Sequence, residues 1–319
     1  MNVPWPLMFA IGTTTPFRPG GLFERLVAKH SDGRITVDVQ EMLYEADAFF
    51  AVADGRIEMG NTATPDFSGT LPLPDFTSLP GLFAPFPDGL YEAAAAVYDP
   101  RLDAILQKTY RTQGVVAYVQ GFGGPQVLWA NKPADTVASL AGLKVRSSGL
   151  IQAATADALS MNPVIATEVE VQELLARGTV DGILTDIPYG AAIGLLDLAD
   201  NLDWWEITPN MCEVILINAE VWDGLPNDLQ ESLKSAIKEL LSSVVFAEEL
   251  GTGYLIPWVE SSVDLVYPAA GEAEKMGSLL RPVYEEWLKI AGPDGKAVLG
   301  ILSEYGTGGG AAIAAELSK

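Results

Sequence analysis

The chain has 319 residues, with 42 acidic against 19 basic, a formal net charge of −23 and a sequence pI near 4.2. Such a surface repels phosphate backbones and argues against nucleic acid as a partner. Hydrophobic residues at 49% against 19% charged indicate a folded globular protein, the length favours two lobes, and no apolar run reaches the ~18 residues of a membrane-spanning helix, so no direct membrane insertion is expected.

In chain order, "MNVPWPLMFAIG" lacks a basic segment followed by an apolar one and a cleavage site, so the sequence is read as a mature chain without a signal peptide. "LMFAIGTTTP" reads as a strand, "GGLFERLVAKHSDG" as a helix with Leu22, Leu26 and Val27 on one face, and "RITVDVQ" as a strand alternating Ile35, Val37 and Val39. His30, the only histidine, is placed at the surface end of that helix. "EADAFFAVADG" is read as a short helix and "RIEMGNT" as a strand. The pair has a loose counterpart: "FAVADGRIEMGNT" and "LLARGTVDGILT" both run apolar helix end, glycine, β-branched residue, acid, then a strand closing on Thr. Ligands of open α/β sheets bind beyond the carboxyl ends of strands, which makes the segments after Thr62 and Thr185 candidate cleft walls.

"LPLPDFTSLPGLFAPFPDG" is read as an ordered loop, and "PADTVASLAGLKVRSSG" as a helical turn followed by a strand with Leu143 and Val145. Helices are expected over "IQAATADALSMNPV" and "EVEVQELLARG", with a strand over "TVDGILT". The longest helical pattern, 227–250, has Leu229, Leu233, Ile237, Leu240 and Val244 as its buried stripe and Asn227 with Gln230 as its cap. The tail "EYGTGGGAAIAAELSK" is read as a flexible glycine run and a short helix. Cys212, the single cysteine, excludes an internal disulfide and a thiolate metal site, and reads as a packed core thiol.

No P-loop, H-E-x-x-H, C-x-x-C, EF-hand loop, G-x-S-x-G or dinucleotide fingerprint is present. No residue is assigned a catalytic role, and no organic cofactor is expected. Arg146, ending the apolar run of "LAGLKVRSSG", is the residue that carries chemistry: its rigid, always-charged fork can hold a carboxylate through two parallel hydrogen bonds. Position alone leaves a surface salt bridge open as the other reading.

Along most of its length the chain resembles the substrate-binding subunits of tripartite ATP-independent periplasmic (TRAP) transporters, the DctP-type family. The resemblance is carried by the order and spacing of "HSDGRITVDV", "DGRIEMGNT", "SLAGLKVRSSG" with "LSMNPV", "EVEVQELLARGTVDG" and "LPNDLQESLKSA". It implies an α/β fold of two lobes like the periplasmic binding proteins, with mixed sheets and a long helix supporting the junction. Lobe I is expected over 1–124 with about 213–250, and lobe II over 125–212 with about 251–319. It implies a periplasmic solute carrier and not an enzyme, which hands its ligand to TRAP membrane permease subunits, as a monomer or homodimer, with Arg146 clamping the ligand carboxylate.

"LDWWEITPN" and "GGPQVLWANKP" resemble the branch that binds 2-oxo and 2-hydroxy acids with a bound cation. That resemblance implies Na⁺ or Ca²⁺ held by Gln126, Glu206 and the Thr185 carbonyl, an all-oxygen set suited to either ion. Where that branch usually has Trp, this chain has Thr185, and Asp186 beside it reads either as a further ligand or as the cap of the next helix. Gln126 stands where most other branches have a second arginine, which implies a monocarboxylate. Trp204, Trp205, Trp129, Tyr189 and Phe67 are candidate walls. The rival readings are a TRAP protein of another branch taking an aromatic or C4 acid without metal, an α/β enzyme using Asp186 or Glu206 as base, and a sensory receptor on the same fold.

Overall fold

The computed structural model describes residues 17–39, 47–167 and 170–319. Nine strands are present among them: β1 (Met59–Ala63), β2 (Val115–Gly123), β3 (Gln126–Ala130), β4 (Lys144–Ser147), β5 (Asn162–Ile165), β6 (Gly182–Thr185), β7 (Asn201–Thr208), β8 (Met211–Asn218) and β9 (Asp264–Val266). They form two sheets, one in the order β1-β8-β2 and one in the order β5-β4-β6-β3-β7-β9. The first is antiparallel throughout, and the second mixes parallel β5-β4-β6 and β7-β9 pairings with antiparallel β6-β3-β7. This is the mixed α/β, two-sheet architecture that the sequence suggested.

The chain passes between the sheets twice through strands. β2 leads into β3 across Gly123-Gly124-Pro125, and β7 returns into β8 across Pro209-Asn210. A single helix, Asn227–Glu260, accompanies both crossings. Its first part buries Leu233, Ile237, Leu240 and Val244 against the first sheet, and its last turns bury Leu255 and Val259 against the second. The expected stripe is therefore correct, with Leu229 half-buried, but the helix runs ten residues past 250. Its cap is Pro226 and not Asn227. Gln230 turns back to donate to the Trp222 carbonyl at 2.8 Å, so no capping box forms.

Helix–glycine–strand units lie where the internal likeness pointed. Helix Ala48–Ala53 leads through Gly55 to β1, and helix Val171–Ala176 leads through Gly178 to β6. Both glycines have a left-handed backbone, φ +69° and +64°, which a side chain at either position would strain. The expected strand over 7–16 lies outside the described residues. Residues 34–39 form no ladder. Ile35 and Val37 instead pack on the cluster around Trp222 and the long helix, because alternation records only that alternate side chains reach apolar surface.

Much of the C-terminal segment packs beside the first sheet. Val283, Tyr284, Trp287, Val298, Leu299, Leu302 and Ala314 pack into the cluster around the first sheet, together with Phe49, Phe67 and Leu216. The glycine run there is a packed joint and not a flexible one. A Cβ at Gly310 would stand 2.1 Å from the Tyr284 hydroxyl, and one at Gly308 would stand 2.2 Å from the Gly81 and Phe83 carbonyls. Cys212 is buried in the same cluster.

Candidate functional site

Arg146 lies on β4 between two residues that face the other way. Val145 enters the core on one side of the second sheet, so strand alternation turns Arg146 to the opposite side. The side chain is 5% exposed, and its Nε donates to the Ala166 carbonyl at 2.8 Å. The Glu170 carboxyl, lowered first by its bonds from Thr167, also feels the Arg146 charge. The Ser147-Ser148-Gly149 turn that follows abuts the segment after β1. A Cβ on Gly149 would come within 2.6 Å of Pro65 Cβ, and Leu150 N–H points to the Ser68 hydroxyl at 3.4 Å. Arg146 thus sits directly behind a contact between the two sheet systems.

From that turn a line of polar side chains runs to the crossing strands. Ser148 donates through N–H and hydroxyl to Gln152 Oε1, at 2.8 and 3.3 Å. Gln152 Nε2 faces Gln126 Oε1 at 3.5 Å, while Gln126 Nε2 donates to the Gly124 carbonyl at 3.0 Å and reaches the Asp186 carboxylate. Asp186 follows Thr185 at the end of β6, which pairs with Val127 next to Gln126. It caps helix Ile187–Ala192 by accepting from Tyr189 N–H at 2.7 Å.

Beyond Asp186 stands Glu248, on the long helix where contact passes from the first sheet to the second. Its Oε1 accepts from Gly124 N–H at 3.1 Å and faces the Thr252 hydroxyl at 3.4 Å. The crossing strand threads between the two acids: a Cβ on Gly123 would lie 3.2 Å from Asp186 Oδ2, and one on Gly124 2.8 Å from Glu248 Oε1. Both carboxyls are buried. Burial raises the Asp186 carboxyl to about 6, and burial with the facing Asp186 charge raises that of Glu248 well above the usual range.

The expected donors come from the neighbouring strands β6, β3 and β7. Gln126, Thr185 and Asp186 gather at the adjoining ends of β3 and β6. Glu206, with a left-handed φ of +47°, has its oxygens engaged by Trp204 Nε1–H at 2.9 Å and Phe86 N–H at 3.0 Å. None of its described hydrogen bonds reaches Gln126, Thr185 or Asp186. Among the described residues no group of three or more His, Cys, Asp or Glu side chains is placed to hold a metal. Glu206 lies in the stretch of β7 that runs beside Gln126–Leu128 of β3, where Gln126 pairs with Thr208 and Leu128 with Asp203.

Three candidate walls are core residues. Phe67 stacks on Phe49 with ring centroids 4.4 Å apart, Trp129 packs so closely over Gly190 that no Cβ fits there, and Trp205 donates to the Ala134 carbonyl. All three are buried, each held by apolar neighbours from other elements that its own segment does not reveal. Trp204, half-buried, lies against Tyr267 with ring centroids 6.0 Å apart, and Tyr189 is half-buried on its helix. Gln152 and Glu248 were missed. Their signal was positional: Glu248 falls on the buried stripe four residues after Val244, and Gln152 sits four residues after Ser148.

The family described as bacterial extracellular solute-binding protein, family 7 (DctP), matches residues 19–289. A monocarboxylate 2-oxoacid-binding periplasmic protein of Nostoc sp. (strain PCC 7120) is 25% identical over 310 residues, covering 90% of this chain and 82% of that protein. DctP6 of Bordetella pertussis, an extracytoplasmic solute receptor binding pyroglutamic acid, superposes with a TM-score of 0.76 at 20% identity, over 88% of this chain and 93% of its own. A TRAP transporter solute-binding protein of Bordetella bronchiseptica RB50, with copurified calcium and picolinate bound in its active site, superposes at 0.80 and 17% identity, over 92% and 87%.

Proposed function

Because the chain belongs to family 7 of the bacterial extracellular solute-binding proteins, the DctP family of TRAP transporters, we propose that it captures a small organic monocarboxylate, a 2-oxo or 2-hydroxy acid, and delivers it to a TRAP membrane permease. Arg146 is the observation that carries this reading: a buried, permanently charged guanidinium beside the junction of the two sheet systems, in a chain of net charge −23. A buried cation of this kind matches an anion planar enough for its fork. The lobes divide, in this reading, with 281–319 joining the first sheet's lobe, and close over the ligand as its binding energy stabilises the closed form.

The groups beyond Arg146 favour one carboxylate over two. Gln152 and Gln126 offer neutral amides that can receive a keto or hydroxyl oxygen, whereas Asp186 and Glu248 behind them would repel a second anionic end. A bridging Na⁺ or Ca²⁺ would draw on Gln126, the Thr185 carbonyl and Glu206, with Asp186 beside them. The second reading is an aromatic acid taken without metal, in which both Glu206 oxygens simply keep their bonds from Trp204 and Phe86.

Calorimetric titration of the chelated protein with pyruvate, 2-oxoisovalerate, lactate, succinate and an aryl acid, with and without Ca²⁺ or Na⁺, tests both. The proposal expects binding of a 2-oxo or 2-hydroxy monocarboxylate that falls at least 100-fold in Arg146→Ala, equivalent to about 3 kcal/mol. Cation-independent binding of the aryl acid alone would move the protein to the second reading. Binding that survives Arg146→Ala would refute both.

A further inference from the structure

We propose a second ligand site, at the β2 edge of the first sheet, for a small amphiphilic monoanion with an apolar body and one anionic head. A cavity of about 250 Å³ opens there between β2, helix Pro100–Arg111 and the start of the long helix. Its floor is made by Leu106, Tyr110 and Ile237, all buried in the cores. None of its lining residues belongs to the second sheet or to the Arg146–Gln126–Asp186 line. The cavity is a groove open to solvent on one side, with room for several waters.

The mouth has polarity of one sign on one side. Lys234 and Lys238 line it from successive turns of the long helix, a like-charge i, i+4 pair, with Lys234 Nζ also 5.8 Å from the Trp222 ring centroid. Lys238 Nζ stands 4.8 Å from the Tyr98 ring centroid, and the Tyr98 hydroxyl donates to the Lys238 carbonyl at 3.2 Å, which fixes the rim. Lys234 pairs with the exposed Glu231 at 2.8 Å. Lys238 has no salt bridge among the described residues. The acid on the opposite rim, Asp103, accepts from Gln107 Nε2 at 3.0 Å, which places an anionic head on the lysine side. Burial pushes the Tyr98 phenol up to about 12, so it stays neutral beside the head.

Titration of the full chain with 1-anilinonaphthalene-8-sulfonate, an apolar-bodied monoanion whose fluorescence rises in apolar surroundings, reads the site directly. The expected result is saturable one-site binding that weakens at least tenfold in Lys234→Glu/Lys238→Glu and in the cavity-filling Val97→Trp, and persists in Arg146→Ala. Circular dichroism establishes that each variant is folded. Displacement by decanoate or by 1-naphthoate then assigns an alkyl or an aryl body. No saturable binding, equal affinity in the charge-reversed and filled variants, or loss of the signal in Arg146→Ala would overturn the proposal.

Discussion

Replacing Asp186 by Asn should flatten the pH dependence of stability in a defined window. The carboxyl is raised from 3.8 to about 6, chiefly by burial. A group raised in the folded state contributes stability that is fully present below its unfolded pKa and lost as pH rises through its folded pKa, here between about 4 and 6 and complete above it. A shift of that size corresponds to about 3 kcal/mol in total, of which about 2 kcal/mol falls between pH 4.5 and 8. Asn keeps the cap on Tyr189 N–H and the side-chain volume, so the variant should fold normally at pH 4.5. Asp75 and Asp203 are also raised, each to about 7, and the dense surface charge adds a slope of its own, so the test is the difference between proteins and not the wild-type curve. Urea unfolding at pH 4.5, 6 and 8 should show wild type losing about 2 kcal/mol more than Asp186→Asn over that range. Glu248→Gln, which keeps an acceptor for Gly124 N–H, should flatten the curve in the same sense. Parallel curves for all three proteins would refute the reading of Asp186 and Glu248 as facing carboxyls short of countercharge.

Two substitutions test packing against function. Gly310→Ala places a Cβ 2.1 Å from the Tyr284 hydroxyl and 2.6 Å from the Pro80 carbonyl, and should destabilise by about 2–3 kcal/mol in urea melts; an unchanged midpoint would restore the flexible reading of the glycine run. Trp205→Phe removes the bond to the Ala134 carbonyl and leaves that acceptor buried, a cost of about 1–3 kcal/mol, while ligand affinity stays within twofold; a large loss of affinity at unchanged stability would make Trp205 a wall of the cleft after all.

What the sequence makes legible here depends on whether a local pattern had one physical cause or several. The helix–glycine–strand units at Gly55 and Gly178 were readable because a left-handed glycine between an apolar helix end and a β-branched residue leaves the chain few alternatives. β8, "MCEVILIN", escaped notice for the converse reason. As the central strand of its sheet it is buried along nearly its whole length, and a continuous apolar run has no two-residue period to detect. Aromatic residues near strand ends look alike whether they line a cleft or fill a core, and Phe67, Trp129 and Trp205 resolved to the core because partners distant in sequence close over them.

Glu248 shows most clearly how the site itself could have been found. An acid in a long amphipathic helix is ordinarily taken for the solvent face, yet Leu241, Val244, Glu248, Thr252, Leu255 and Val259 advance by three or four residues throughout, and all are buried. A carboxyl on the apolar stripe of a helix must meet a partner, a proton or a structural cost. Here it meets the backbone of Gly124 and the second acid, Asp186, at the place where β2 crosses to β3. The same reasoning applied to Arg146 gives the opposite sign at the other end of the amide line. An always-charged group and two hard-to-ionise acids, separated by Gln152 and Gln126, set a gradient of potential along the line. In the proposed reading the ligand's single carboxylate takes the Arg146 end of the line, and a second carboxylate near Asp186 and Glu248 would meet repulsion from both acids once they ionise.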